Sequence, residues 1–165
     1  MLTTREDVYA VLADVMDPEV PVISVVDLGI IRDAQVHDGH VRVTVTPTYS
    51  GCPAMEAIRA DVEARLAAAG HRDAEVRLVL SPAWTTDWMS EAGRRKLAAY
   101  GIAPPNGRAP VHGEAVRQTP VSLSVRCPQC GSPDTRELSR FGSTACKSLW
   151  SCNACLEPFD HFKDI

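Results

Sequence analysis

The spacing of apolar residues predicts a short amphipathic helix at the start of the chain. Thr3 and Glu6 form a Thr-x-x-Glu capping box ahead of the apolar stripe. Pro18 disfavours the helical conformation at the residue before it, so we expect the helix to end near Met16. The apolar stripe that this helix buries is formed by Val8, Val11, Leu12 and Val15.

Alternating apolar and polar positions across residues 30–45 predict a β-hairpin. Asp38 and Gly39 supply the two positive-φ positions of a type I′ turn. Three pairs follow from that register: Val36 with Val41, Ala34 with Val43, and Arg32 with Val45.

A second helix and a third strand complete the first hundred residues. The helical stripe after Cys52 ends at Gly70, and alternation resumes over residues 74–80. A strand that arrives through a crossover helix can lie parallel to a hairpin strand. A third helix, capped by Thr86 or Asp87, precedes Gly101. We therefore predict an α+β fold, in which helices pack on a small three-stranded sheet.

The corner between the hairpin and the second helix, residues 46–54, is the first candidate site. Pro53 suits the first helical position, which would place Cys52 at or beside the N-cap. Backbone N–H groups and the helix dipole lower the pKa of a thiol at such a position. The alternative is a small buried cysteine that closes the corner without reacting.

Three acidic residues follow the first helix: Asp17, Glu19 and Asp27. Each is either a solvated turn or cap residue, or part of the wall of a reactive pocket. Periodicity does not choose between these interpretations.

Composition restricts the class of protein. The 165 residues are 45% apolar and 23% charged, with a formal net charge of −4, as in an ordinary globular protein. The sequence shows no membrane-spanning apolar run and no signal peptide, so we expect a cytoplasmic location and no membrane partner. In that compartment the six cysteines favour metal ligands or reactive thiols over disulfides.

The chain divides on composition into residues 1–101, a Pro/Gly-rich linker at 102–120 and a tail at 121–165. The tail carries two Cys-x-x-Cys knuckles, and four thiolates suit a structural zinc ion; mononuclear iron or an iron–sulfur cluster also accepts four cysteines. Strand patterns at 121–125 and 135–141 fit a zinc ribbon. The four candidate metal ligands are Cys127, Cys130, Cys152 and Cys155.

Cys146 is the odd thiol of the tail. It lies six residues before Cys152, and an even separation on a strand puts both side chains on one face. It is therefore either an accessory, exchangeable ligand, with Lys147 favouring its thiolate, or an inert packing cysteine.

These motifs resemble known families. Asp17-Pro18-Glu19 through Asp27-Leu28-Gly29, with Thr46 and Cys52-Pro53, resembles the SufT-like iron–sulfur assembly factors. The two knuckles, the Gly101–Pro105 stretch, residues 143–147 and Glu157-Pro158-Phe159 resemble the PaaD family of bacterial phenylacetate degradation.

The resemblance implies a role in maturing the iron–sulfur centre of the multicomponent phenylacetyl-CoA epoxidase. It implies that Cys52 is the reactive residue and can hold iron or a cluster transiently, with Asp17, Glu19, Asp27 and Thr46 around it. The implied partners are subunits of that epoxidase, especially its iron–sulfur reductase. Members of the PaaD family are alternatively regarded as accessory subunits of the oxygenase, and a homo-oligomer is left open.

Two other function classes fit less well. Cysteine catalysis needs a histidine base, and no histidine here lies in a recognisable catalytic motif, so we expect an accessory protein rather than an enzyme. A nucleic-acid-binding zinc ribbon should carry clustered basic residues, whereas five acidic residues balance five basic ones in residues 121–165.

Overall fold

The computed structural model describes residues 4–107 and 124–165. The chain forms two compact units, Met1–Gly93 and Arg94–Ile165. No helix in the described ranges is both long enough and apolar enough to cross a membrane.

The first unit contains two helices that pack together beside a small sheet. Thr4 and Asp7 cap the first helix reciprocally, one residue later than predicted, and this helix ends at Leu12 rather than near Met16. A 3₁₀ turn, Thr86–Trp88, then precedes a third helix that begins within this unit. The elements are α1 (Arg5–Leu12), β1 (Ile31–His37), β2 (His40–Val45), α2 (Met55–Ala68), β3 (Glu75–Leu78) and α3 (Glu91–Tyr100).

The sheet has the order β1-β2-β3, with β1 antiparallel and β3 parallel to β2. Asp38 and Gly39 have φ angles of +49° and +82°, and Val36 pairs with Val41 as predicted. The predicted pair of Arg32 with Val45 is wrong. A bulge between Ile31 and Asp33 shifts the register, so Ile31 lies opposite Val45.

Arg32 instead lies over the ring of Trp88, with its guanidinium carbon 3.4 Å from the ring centroid. It also donates a hydrogen bond to the Gly29 carbonyl, at 3.3 Å. Gly29 has a φ of +79°, and a Cβ there would collide with the Trp88 backbone. This close approach needs glycine for both conformation and space.

The apolar stripes of both helices are buried against the sheet, which confirms the predicted α+β fold. The third strand departs from its predicted pattern. Val76 is buried, but Leu78, at the end of β3, and Leu80, beyond that strand, are 55% and 57% exposed.

The second unit is built on a four-stranded sheet with the order β4-β7-β6-β5. Its strands are β4 (Ile102–Ala103), β5 (Thr135–Ser139), β6 (Lys147–Cys152) and β7 (Pro158–Phe162). Ile102 and Ala103 begin the predicted linker, yet they pair in parallel with Asp160 and His161. The rest of the linker prediction, like the strand predicted at 121–125, falls largely outside the described residues, and the three-part division stays a prediction.

The tail sheet has a small core of its own. Two members of this cluster are cysteines that are also candidate metal ligands, so metal binding and apolar packing involve the same residues. Its members are Ala103, Val125, Cys127, Trp150, Cys152 and Phe159.

Candidate sites at Cys52 and at the four-cysteine cluster

Two consecutive turns form the corner that carries Cys52. The Cys52 N–H donates to the Tyr49 carbonyl at 3.3 Å, and the Met55 N–H donates to the Cys52 carbonyl at 3.2 Å. The helix α2 therefore begins at Met55 with Ala54 as its N-cap. The prediction that Pro53 starts the helix is wrong by two residues, and Cys52 lies two residues before the N-cap rather than at or beside it, because the turn closes before the helix begins.

The carboxylates of Asp17 and Glu19 interact electrostatically with the Cys52 thiol. Asp17 is only 7% exposed, and its Oδ1 accepts hydrogen bonds from the Glu19 and Val20 N–H groups, each at 2.8 Å. Asp17 therefore caps a turn, and its negative charge also acts on Cys52. Its place in the wall of a reactive pocket stays a prediction. Glu19 is half-buried and acts on the same thiol.

Partial burial raises the pKa of the half-buried Cys52 thiol, contrary to the predicted lowering. The Ala54 backbone N–H opposes this effect, and so does a hydrogen bond with the Tyr49 side chain. The carboxylates of Glu19 and Asp17 reinforce it, since a like charge disfavours a thiolate. The Cys52 thiol is therefore mostly protonated at neutral pH, and a metal cation that binds the sulfur must displace that proton to a base or to solvent.

The other two residues implied by the resemblance have structural contacts. The Ser90 hydroxyl donates to Asp27 Oδ1 at 2.6 Å, and the Ser90 Oγ accepts the Gly93 N–H, so Asp27 positions the start of α3. Thr46 is 2% exposed, and its N–H donates to the Ile30 carbonyl just beyond β2. The implied place of both residues around Cys52 stays a prediction.

Tyr49 is the residue that sequence reasoning missed. Its carbonyl closes the turn on Cys52, and its side chain hydrogen-bonds to the thiol. Its position three residues before the cysteine in a turn-forming stretch was the available signal.

The four tail cysteines come together. Their Sγ atoms all lie within 4.8 Å of one another, with Cys127 3.7 Å from Cys155 and Cys130 3.6 Å from Cys152. A tetrahedral zinc site with Zn–S bonds of about 2.3 Å requires sulfurs about 3.8 Å apart. The donor set and its spacing therefore fit zinc.

Both knuckles use the same turn. The Gly131 N–H donates to the Cys127 carbonyl at 2.8 Å, and the Leu156 N–H donates to the Cys152 carbonyl at 3.0 Å. Each turn ends in a left-handed residue, with φ of +75° at Gly131 and +67° at Leu156. The Cys155 N–H lowers the pKa of Cys152 to about 7, which favours the thiolate that a metal binds.

Cys146 is not among the four clustered sulfurs in the described part of the chain. It is buried just before β6, with its Sγ 3.0 Å from Thr144 Oγ1. The ammonium of Lys147 lies 3.5 Å from Asp160 Oδ2. These contacts are those of a packed cysteine.

Comparison with known proteins identifies each unit. Residues 5–78 match the model of the iron–sulfur cluster assembly protein family, and residues 112–163 match the PaaD zinc beta ribbon domain. A crystal structure of a domain of unknown function, DUF59, from Bacillus anthracis covers 56% of this chain and 90% of its own, at 30% identity and a TM-score of 0.53.

Relatives of the first unit include the "Fe-S protein maturation auxiliary factor YitW" of Bacillus subtilis, which is 38% identical over 95 residues, 56% of this chain and 92% of the relative. A relative of the whole chain is an Escherichia coli K12 protein named as a putative component of 1,2-phenylacetyl-CoA epoxidase. It is 44% identical over 160 residues, which is 96% of this chain and 92% of the relative. With this near full-length similarity and its zinc beta ribbon, the chain belongs to the PaaD family.

Proposed function

We propose that this protein is a maturation factor that helps to assemble the iron–sulfur centre of the multicomponent phenylacetyl-CoA epoxidase in aerobic phenylacetate catabolism. The single observation that supports this role best is the half-buried Cys52 thiol beside the carboxylates of Glu19 and Asp17. Relatives named as Fe-S protein maturation factors and as an epoxidase component support the two halves of the proposal.

Iron, alone or within a cluster, is the cargo in this proposal. A thiolate is a good ligand for such a centre, and a cation that approaches Cys52 favours loss of its proton. The negative charges of Glu19 and Asp17, which disfavour the free thiolate, attract the cation. Tyr49 and the Ala54 N–H hold the sulfur in place and stabilise its ionised form.

The four tail cysteines have a different role in the proposal. A resident zinc ion would be held by Cys127, Cys130, Cys152 and Cys155, where its chemistry is structural. The tail would then contribute a folded surface to the client, which we propose to be the iron–sulfur reductase of the epoxidase.

The test is the cluster content of that reductase in cells that carry Cys52→Ser. We expect the reductase to accumulate with most of its iron and sulfide missing, while Cys146→Ser leaves it fully loaded. Anaerobic purification followed by iron and sulfide analysis measures the effect. Full loading of the client in the Cys52→Ser cells would disprove the role of Cys52.

A structural, non-catalytic subunit of the oxygenase complex is the second candidate, favoured by the name of the Escherichia coli relative. In that case Cys52→Ser leaves the reductase loaded, and deletion of the whole protein prevents the epoxidase subunits from co-purifying. These two strains, the substitution and the deletion, therefore separate the two functions.

A further inference from the structure

The guanidinium of Arg32 is held in one place by contacts within the first unit. The β-bulge between Ile31 and Asp33 takes this residue out of the regular register of β1. Its guanidinium carbon lies 3.4 Å from the centroid of the Trp88 ring, and its Nη1 donates to the Gly29 carbonyl at 3.3 Å. Bulges often re-aim a side chain in this way next to functional sites.

This cation has no anionic partner in the part of the chain that the structure describes. A guanidinium has five N–H donors, and one of them reaches the Gly29 carbonyl. Asp33, the adjacent acid in the sequence, pairs with Arg5 instead, at 3.4 Å. Burial lowers the pKa of Arg32, and Tyr9 is the one described ionisable group that opposes this effect, so no described carboxylate compensates for the partial loss of water.

A partly buried cation without a counter-ion favours an incoming anion, because it has lost water without gaining an opposite charge. The ring of Trp88 covers one face of the Arg32 guanidinium, which leaves the free N–H groups at its edge. A carboxylate binds that edge with two parallel hydrogen bonds, and a fixed, stacked guanidinium loses little freedom when it does so.

The neighbours of Arg32 are the residue types of a protein-binding surface. Tyr9 and Trp88 are half-buried, so each presents part of its ring to solvent. The guanidinium carbon of Arg5 lies 5.3 Å from the centroid of the Tyr9 ring, and its Nη2 donates to the Tyr9 hydroxyl at 3.3 Å. Tryptophan, tyrosine and arginine supply most of the binding energy at protein interfaces. Arg5, Tyr9, Arg32 and Trp88 form what is called here the arginine–aromatic patch.

We propose that the arginine–aromatic patch docks an acidic segment of the client protein. A Glu or Asp carboxylate of that segment binds the Arg32 guanidinium, and its neighbouring side chains pack on Trp88 and Tyr9. This docking site deepens the proposed maturation role and rests on it for the identity of the client, the iron–sulfur reductase. It gives the unit that carries Cys52 a contact of its own with the client.

The experiment measures binding of the purified reductase to the full-length, zinc-loaded protein by biolayer interferometry. Arg32→Gln should weaken binding about tenfold or more, because it leaves the client carboxylate without its charge-assisted partner. Arg42→Gln is the matched control on the neighbouring strand. Arg42 is exposed and already paired with Glu75, with Nε 2.6 Å from Oε2, so its loss should change binding less than about twofold.

A second measurement tests the contact even if Arg32→Gln is unstable. In the unaltered protein, the indole ¹⁵N–¹H resonance of Trp88 should shift when the reductase is added. The indole of Trp84 is the internal control, since it is 3% exposed and donates to the Leu28 carbonyl at 3.0 Å. Its resonance should stay where it is.

Equal binding by Arg32→Gln and Arg42→Gln, no binding of the reductase, or an unmoved Trp88 resonance would each overturn the docking site. Displacement of the reductase by micromolar inorganic phosphate would also overturn it, by showing a site for a free anion. A dimer of the unaltered protein that Arg32→Gln dissociates, observed by sedimentation velocity, would show instead that the patch joins two copies of this chain.

Failure of this docking site and failure of the proposed function are observed separately. Cys52→Ser should bind the reductase as tightly as the unaltered protein does and leave it without its cluster. Arg32→Gln should keep the pH profile of Cys52 alkylation, since Arg32 is not among the described groups that act on that thiol. Normal binding by Arg32→Gln, with the cluster still missing in Cys52→Ser cells, would overturn the docking site and leave the maturation role standing.

Discussion

Cysteine occurs in two contrasting settings in this chain. At the corner before α2, one half-buried sulfur is surrounded by backbone, a tyrosine and two carboxylates. In the tail, four sulfurs lie within 4.8 Å of one another, and two of the four cysteines belong to the small apolar cluster of that unit. The first sulfur is positioned by a fold that already has a large core, whereas the second group must itself supply much of the stability.

The electrostatics differ in the same way. Surroundings of Cys52 raise its pKa, because burial and the charges of Glu19 and Asp17 outweigh the hydrogen bonds from Ala54 and Tyr49. In the tail, the knuckle turn directs an N–H at Cys152 and lowers its pKa to about 7. The Cys52 thiol must therefore lose a proton when it binds a cation, whereas Cys152 is already partly ionised near neutral pH.

Removal of the tail metal should have the largest effect. Structural zinc contributes on the order of 10 kcal/mol to a small module, so a strong chelator or Cys152→Ala should unfold the second unit. Amide NMR spectra should lose the dispersed signals of β5, β6 and β7 and keep those of β1 and β2.

Cys146→Ser and Cys52→Ser are the controls for that experiment, and both should retain one metal ion per chain. Loss of the dispersed signals of the first unit on chelation would contradict the prediction that only the second unit depends on the metal for its stability.

Substitution of Gly29 should have the next largest effect, confined to the first unit. In Gly29→Ala the new Cβ meets the Trp88 backbone at a φ of +79°, which combines backbone strain with overpacking and should cost about 3–5 kcal/mol. Urea unfolding followed by circular dichroism measures the loss.

Gly39→Ala is the matched variant, because Gly39 has a φ of +82° and open space around its Cβ position. It should cost only about 1 kcal/mol. If the free energy of unfolding falls equally in the two variants, the close contact with Trp88 adds nothing to the cost of Gly29→Ala.

The smallest effects should come from the neighbours of Cys52. Glu19→Gln removes a like charge and should lower the pKa of Cys52, whereas Tyr49→Phe removes a hydrogen bond to the thiolate and should raise it. At pH 7.5 the first change should speed alkylation of Cys52 about two- to threefold, and the second should slow it.

The measurement is the pH profile of alkylation, read from the Cys52 peptide by mass spectrometry. In the unaltered protein the rate of alkylation should still increase with pH above the ordinary pKa of cysteine, because the raised pKa of Cys52 shifts formation of its thiolate to higher pH. Asp61→Asn, an exposed change on α2, should leave the midpoint where it was. A shift of the same sign in the Glu19 and Tyr49 variants would contradict this account.

Sequence reasoning succeeded where the signal was local. The Asp38-Gly39 turn determines the register of its hairpin. The spacing of the four cysteines predicts a metal site without any knowledge of the residues between the two knuckles. The capping box was predicted one residue early, at Thr3 and Glu6 in place of Thr4 and Asp7, because adjacent threonines offer two equivalent caps.

The wrong predictions concern features that are determined by tertiary contacts. The bulge at β1 moves Arg32 onto Trp88, 56 residues away, and nothing in the local alternation marks it. The start of α2 and the pKa of Cys52 depend on turns and burial that combine several segments. β4 has only two residues and pairs with the far end of the chain, so no pattern could identify it.

The buried cap at Asp17 has a consequence for how the corner would be loaded. Because Oδ1 accepts hydrogen bonds from two backbone N–H groups, this carboxylate is a fixed negative charge that acts on Cys52. A metal cation that binds the sulfur must displace the Cys52 proton, so its apparent affinity should fall as the medium is acidified.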